Sequence, residues 1–103
     1  MKFKTYSNLF KIAWGLRFYK ELKNEGIILR LPKEMEIRLS MYFVFFPITA
    51  LWVSKDNIIN HVQNLQPFTV SQKKKALYIV EMPLNNKYKT GMKFKIEKFK
   101  YKL

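Results

Sequence analysis

The sequence predicts a single, mainly β domain: an antiparallel β sandwich or open barrel with one short N-terminal helix. Three observations predict this class. The 103 residues have the length of one domain, and no linker or internal repeat divides them. Short runs of β-branched and aromatic residues recur along the chain, separated by turn residues at hairpin spacing. Hydrophobic residues make up 49 % of the chain, which is enough to build a core.

The first third of the chain supplies an edge strand, the helix and a second strand. Residues 1–4 (MKFK) are typical of the start of an edge strand. Residues 7–15 (SNLFKIAWG) predict the helix, because their apolar side chains recur near helical spacing between a capping serine and a terminating glycine. A turn or second short helical piece follows over residues 16–26. Residues 27–32 (IILRLP) predict a compact strand that its proline closes.

The most apolar stretch is residues 41–53, MYFVFFPITALWV, which fits a membrane span, one buried strand, or two strands joined at Pro47. The uncharged run, residues 39–54, is shorter than the ~20 residues of a spanning helix, and proline disfavours a continuous helix. Both alternating sets before the proline are apolar, which is typical of a strand covered on both faces. We therefore predict no membrane span, a central strand ending near Phe46, and a second strand over residues 48–53.

Two more strands follow the apolar stretch. Residues 54–57 (SKDN) have hairpin-turn composition, so residues 58–62 are predicted to return as a strand. The polar, proline-containing residues 63–75 are predicted to form a surface loop. Residues 76–83 (ALYIVEMP) predict a buried strand.

The C-terminal segment, residues 92–103, alternates apolar and basic residues after a turn centred on Gly91. Its alternation slips by one position at residues 97–98, which predicts a bulge. The bulge directs the lysines of the segment to solvent. These are Lys93, Lys95, Lys98, Lys100 and Lys102.

The charge of the chain is strongly positive, with 20 basic and 7 acidic residues and a formal net charge of +13. Such an excess attracts nucleic acid, acidic proteins and anionic membrane surfaces. Our first hypothesis is therefore a non-catalytic binding domain that contacts nucleic acid or another polyanion through the five C-terminal lysines. Two simpler interpretations stay open: a solvated lysine face, and protection of an edge strand against aggregation.

The absence of cysteine excludes disulfides, thiolate catalysis and cysteine-based metal sites. It also fits a reducing compartment, and the first ten residues lack the pattern of a signal peptide. We therefore expect a cytoplasmic protein.

Residue patterns typical of enzymes are also missing. One histidine, His61, and one aspartate do not make the ligand set of a metal, and three scattered glycines form no phosphate-binding loop. We predict no catalytic residues, no metal and no cofactor. Glu81 lies in a predicted buried strand, so an inward orientation requires a cationic partner, with Arg30 and Arg38 as candidates. A structural ion pair is favoured there over a catalytic base.

Four segments, in this order, resemble a known family: GLRFYKEL at 15–22, GIILRLP at 26–32, MYFVFFPITALWVSKDNII at 41–59 and ALYIVEMP at 76–83. They are similar to the pattern of the domain of unknown function 192 family, over residues 15 to about 96. The resemblance implies a compact, mainly β domain without an established activity.

The chain departs from the family pattern at its polar positions. The arginine that closes the first family motif falls at Tyr19, although Arg17 is close. The polar residue before the central methionine falls at Ser40, and the aspartate after Pro-Ile falls at Thr49. Our second hypothesis is a pocket for a small anion or sugar, lined by these positions and a nearby arginine. Its residues are Arg17, Tyr19, Arg38, Ser40 and Thr49. A third hypothesis is a domain that acts only through a protein partner.

Overall fold

The computed structural model describes residues 2–6 and 25–95, in which five strands form one mixed sheet. The strands are β1 (Lys2–Tyr6), β2 (Glu25–Ile37), β3 (Ile48–Val53), β4 (Ile59–Leu65) and β5 (Lys74–Met82). Their order in the sheet is β1-β2-β5-β3-β4, with β1 parallel to β2 and all other neighbours antiparallel.

The mainly β prediction is confirmed, whereas the antiparallel sandwich or open barrel is not, because the strands belong to a single sheet with one parallel pair. The edge strand predicted near the N-terminus is present as β1. The predicted N-terminal helix lies outside the described residues. No helix in the described part of the chain is long and apolar enough to cross a membrane.

Both faces of the sheet are covered, and β3 is an interior strand between β5 and the edge strand β4. All six residues of β3 are buried, as expected for a strand with neighbours on both edges and cover on both sides. Alternate side chains enter two hydrophobic clusters, which define the first and second faces of the sheet. The first face includes Ile27, Leu29, Ile48, Ala50, Trp52 and Ile79. The second face includes Ile28, Leu51, Val53, Tyr78, Val80 and Met82.

The prediction of a central strand that ends near Phe46 is wrong. Residues 41–46 form a loop, and the strand begins only at Ile48. The backbone of Phe43 adopts φ 63°, which is incompatible with a strand. Only Met41 and Val44 are fully buried, and they fix the loop against the first face. A loop with exposed rings has the same uncharged composition as a doubly covered strand, so composition could not distinguish them.

The strand predicted to close at Pro32 instead continues to Ile37. The register with β5 is interrupted between Arg30 and Met35, and Pro32 lies in this irregular stretch, where its missing N–H breaks no regular ladder. The continuation carries the chain over the first face. There the indole nitrogen of Trp52 donates a hydrogen bond to the Ile37 carbonyl at 3.0 Å.

The turns predicted at residues 54–57 and at Gly91 are confirmed, whereas the bulge predicted at residues 97–98 lies outside the described residues. The Ser54 amide donates to the Ile58 carbonyl at 2.9 Å and closes the β3–β4 hairpin, with Asn57 at φ 65°. Gly91 adopts φ 96°, the left-handed region that favours glycine. β4 extends further than predicted, to Leu65, and the loop after it is correspondingly shorter.

Candidate binding surfaces

Thr49, where the family pattern has an aspartate, is a fully buried residue of the second face. It pairs with Met82 of β5, which fixes this orientation. Its hydroxyl donates a hydrogen bond to Asn64 Oδ1 at 2.7 Å and accepts one from the Asn85 amide at 2.9 Å. Thr49 therefore ties the loop after β5 to the sheet.

The other pocket candidates lie elsewhere. Arg38 is exposed and Ser40 half-buried, in the segment that crosses the first face. Ser40 forms an isolated antiparallel bridge with Val70. Because Thr49 lies on the second face, the structure does not bring it together with Arg38 and Ser40. Arg17 and Tyr19 lie outside the described residues.

Glu81 is a buried carboxylate, as its strand context indicated. It lies in one row of the sheet with Ile27 and Ala50, so it belongs to the first face. Arg30 pairs with Tyr78 in the regular part of β2 and therefore lies on the second face. Arg30 as the partner of Glu81 is thus wrong, because the sheet separates the two side chains.

The two described residues of the C-terminal lysine set, Lys93 and Lys95, are exposed on a segment fixed to the β3–β4 hairpin. The Ile59 amide donates to the Met92 carbonyl at 2.9 Å, and the Phe94 amide donates to the Asn57 carbonyl at 2.8 Å. The ring of Phe94 is only 2 % exposed. The other three candidates, Lys98, Lys100 and Lys102, lie outside the described residues.

Arg30 lies on the same face of the sheet as the Phe94 ring that anchors these lysines. The ring centroids of Tyr78 and Phe94 are 6.3 Å apart, and Arg30 is close enough to Tyr78 to act on its pKa. Burial raises the pKa of the Tyr78 phenol, and the positive charge of Arg30 partly opposes this shift. We call Arg30, Lys93 and Lys95 the cationic surface.

A second exposed feature, which the sequence reasoning missed, is a group of four rings that we call the aromatic cluster. Tyr42, Phe43 and Phe45 surround Phe68, with ring centroids 6.4, 5.9 and 5.3 Å from it in edge-to-face arrangements. The four side chains are between 46 % and 56 % exposed. The one sequence signal was Phe68, an aromatic residue inside a predicted polar loop.

Two loops joined by backbone hydrogen bonds hold the aromatic cluster. The Met41 amide donates to the Thr69 carbonyl at 2.7 Å, and the Phe68 amide donates to the Met41 carbonyl at 2.9 Å. Phe43 and Phe68 have φ values of 63° and 61°. Left-handed conformations cost non-glycine residues ~1 kcal/mol or more each, so the fold holds two of the exposed rings against a backbone penalty.

His61 is packed on the first face. Its ring centroid lies 5.0 Å from that of Trp52, and its Nε2 is 3.1 Å from Gln63 Oε1. Among residues 2–6 and 25–95, no three His, Asp or Glu side chains group as metal ligands.

The sheet has counterparts among solved structures. A protein from Sinorhizobium meliloti described as a putative transcription regulator matches with a TM-score of 0.72 and 14 % identity, over 79 % of this chain and 67 % of its own. A protein of unknown function from Novosphingobium aromaticivorans matches with a TM-score of 0.66 and 21 % identity, over 78 % of this chain and 60 % of its own. This chain therefore spans about two thirds and three fifths of these two proteins. At such identities the likeness shows a shared fold.

A comparison with curated proteins finds no match. The family model described as uncharacterised ACR, domain of unknown function 192, matches residues 2–97. This match covers nearly the whole chain and agrees with the order of the motifs that resembled the family. The chain belongs to the domain of unknown function 192 family.

Proposed function

We propose that this protein binds polyanions, with nucleic acid as the principal class, through the cationic surface and the C-terminal lysines that follow it. The observation that carries the proposal is the attachment of the segment bearing Lys93 and Lys95. Backbone hydrogen bonds and the buried Phe94 ring hold this segment on the hairpin. The backbone that carries the two ammonium groups is therefore already ordered, so less conformational entropy is lost when they contact phosphates.

The overall charge of the chain supports the same function. A net charge of +13 attracts a polyanion over distances of the order of the Debye length, about 10 Å at 0.1 M salt. Lysine contacts to phosphates release condensed counterions, so the affinity must fall steeply as salt rises. A pocket around β3 is not proposed, because Thr49 is separated from Arg38 and Ser40 by the sheet.

The test is fluorescence anisotropy with a labelled DNA duplex of about 20 base pairs, titrated at several salt concentrations between about 50 and 200 mM. We compare the wild-type protein with the double variant Lys93→Gln/Lys95→Gln. Each phosphate contact contributes ~0.9 to the slope of log K against log salt. Loss of both contacts is expected to lower the slope by about 1 to 2 and to weaken binding at low salt.

The matched control is Lys4→Gln/Lys87→Gln. It also removes two positive charges, but from exposed positions of β1 and of the loop after β5. It should retain most of the wild-type slope. Absence of wild-type binding at low salt contradicts the proposal. Equal losses in the two double variants would show that net charge acts without a defined surface.

A further inference from the structure

We propose that the aromatic cluster is a stacking platform for the bases of single-stranded nucleic acid. This inference rests on the proposed function and specifies its ligand: phosphates are bound by cationic side chains, and unpaired bases stack on the rings. Base–aromatic stacking accepts every base, since each base has a π-face, and it is the usual device of proteins that bind single strands.

The exposure of the rings is the first argument. Large aromatic side chains are ordinarily placed in cores, and contiguous apolar patches on a surface mark sites of interaction. Here four rings are each about half exposed around one centre, Phe68. About half of each side chain is exposed, which leaves ring surface on which a base can stack.

The backbone of the cluster is the second argument. Phe43 and Phe68 both adopt left-handed φ values, one in each of the two joined loops. Strained backbone positions concentrate at functional sites, where the surrounding structure over-determines them. The two hydrogen bonds between Met41 and the 68–69 segment hold the loops in this conformation, so the rings are positioned before a ligand binds.

The charge around the cluster is the third argument, and it selects the ligand. No carboxylate occurs in residues 37–55 or in residues 57–80. The Ser71 amide donates to the Leu39 carbonyl, which places exposed Arg38 on the same two-stranded ribbon as exposed Lys73. An apolar platform with cations at its base and no carboxylate in its loops complements a ligand of bases and phosphates.

Two other occupants fit these features less well. A second copy of the chain would bring another net charge of +13 against the first, which opposes association through this face. An anionic membrane would desolvate Gln66 and Thr69, which are exposed beside Phe68. Membrane binding is therefore an outcome to be tested rather than the proposal.

The experiment compares a labelled oligothymidylate of about 15 nucleotides with a duplex of the same length, by anisotropy at matched salt. The test variant is Tyr42→Ala/Phe45→Ala, which removes the two most exposed rings of the cluster and leaves Phe68 in place. The control is Leu84→Ala, an equally exposed apolar residue in a different loop. Thermal unfolding of each variant confirms that it folds.

We expect the wild-type protein to bind oligothymidylate more tightly than duplex. The double variant should lose at least about 5-fold in affinity for oligothymidylate, because even one stacked base contributes ~1 kcal/mol or more. Its salt slope should equal that of the wild type, because no phosphate contact is removed. Leu84→Ala should bind as the wild type does.

Each contrary result has a distinct meaning. Equal wild-type affinity for both probes, with no effect of the double variant, overturns the stacking platform and leaves polyanion binding intact. No binding of either probe overturns the proposed function as well. Sedimentation with phosphatidylserine vesicles that requires Tyr42 and Phe45, while oligothymidylate binding does not, assigns the rings to a membrane and overturns the inference.

Discussion

The two halves of the uncharged stretch, on either side of Pro47, have similar composition and opposite fates. Residues 48–53 form the interior strand β3, with every side chain buried and neighbours on both edges. Residues 41–46 form a loop in which two side chains anchor the backbone while Tyr42, Phe43 and Phe45 remain exposed. Apolar character alone therefore does not decide burial in this molecule.

The difference arises from backbone pairing. β3 is paired with β4 along one edge and, from Thr49 to Val53, with β5 along the other, and its side chains are buried in the clusters of the two faces. The 41–46 loop is not part of a strand ladder, and Met41 joins it to the 68–69 segment by two backbone hydrogen bonds. Three rings of the first half thus remain on the surface, whereas every side chain of the second half lies in the core.

Truncation of Trp52 is expected to have the largest effect on stability. Trp52→Ala is expected to lower the free energy of unfolding by ~3–5 kcal/mol, because it leaves a large cavity in the first face. Trp52→Phe tests the hydrogen bond to the Ile37 carbonyl in a milder form and should cost ~1–3 kcal/mol. Urea unfolding measures both values. A cost below 1 kcal/mol for Trp52→Ala would contradict the burial of β3.

Thr49 tests the contribution of a single polar side chain within the buried half. Thr49→Val keeps the shape of the side chain but removes the hydroxyl that serves Asn64 and the Asn85 amide. We expect a loss of ~0.5–1.5 kcal/mol, since Asn64 and the partly buried Asn85 amide lose their hydrogen bonds to the hydroxyl. Thr49→Ser, which retains the hydroxyl, is the matched variant. If valine is tolerated better than serine, the hydroxyl does not hold the loop after β5.

Tyr78 tests the second face through its pH dependence. Its folded pKa is raised above 10.0, chiefly by burial, so the folded state holds the phenolic proton more tightly than the unfolded state does. The associated stability is fully present below about pH 10 and is lost as the pH rises through the folded pKa. Tyr78→Phe removes this contribution and the hydrogen bond to Asn57, at a cost of ~1 kcal/mol near pH 8.

The measurement is the unfolding free energy of the wild type and of Tyr78→Phe between about pH 8 and 11. The difference between the two proteins should shrink above about pH 10. A constant difference across this range would show that the Tyr78 phenol is not perturbed by burial.

Phe45 gives the smallest effect. Phe45→Ala is expected to change the free energy of unfolding by less than about 1 kcal/mol, because the ring is exposed and the loop anchors remain. The same substitution contributes to the loss of oligothymidylate binding expected above. A large loss of stability would instead make Phe45 a structural residue and remove the contrast with Trp52.

Pattern in the sequence predicted the elements that obey local rules. The hairpin turn at 54–57, the strands on either side of it, the buried strand β5 and the turn at Gly91 all follow from residue types at fixed spacing. The parallel pairing of β1 with β2 did not follow, because pairing direction depends on how distant segments meet. The extension of β2 past Pro32 also depends on pairing with a distant segment. The register with β5 is interrupted at this point, and an interrupted register tolerates a proline.

The candidate surfaces show the same division. The exposure of Lys93 and Lys95 beside a buried Phe94 follows from simple alternation. The aromatic cluster did not, because it depends on left-handed conformations at Phe43 and Phe68 and on contacts between loops far apart in the chain. The pocket suggested by Arg38, Ser40 and Thr49 assumed that a continuous strand places these residues on one face. Residues 41–46 form a loop instead, and the residues before and after it lie on different faces of the sheet.

The most direct test of the contrast uses the absence of cysteine from the chain. Phe45→Cys and Ala50→Cys each introduce one thiol, and the rate of its reaction with a thiol reagent under native conditions reports accessibility. We expect the thiol at position 45 to react nearly as fast as in the unfolded protein. The thiol at position 50 should react only through unfolding, several orders of magnitude more slowly. Similar rates at the two positions would contradict the division of this stretch into an exposed aromatic loop and a buried strand.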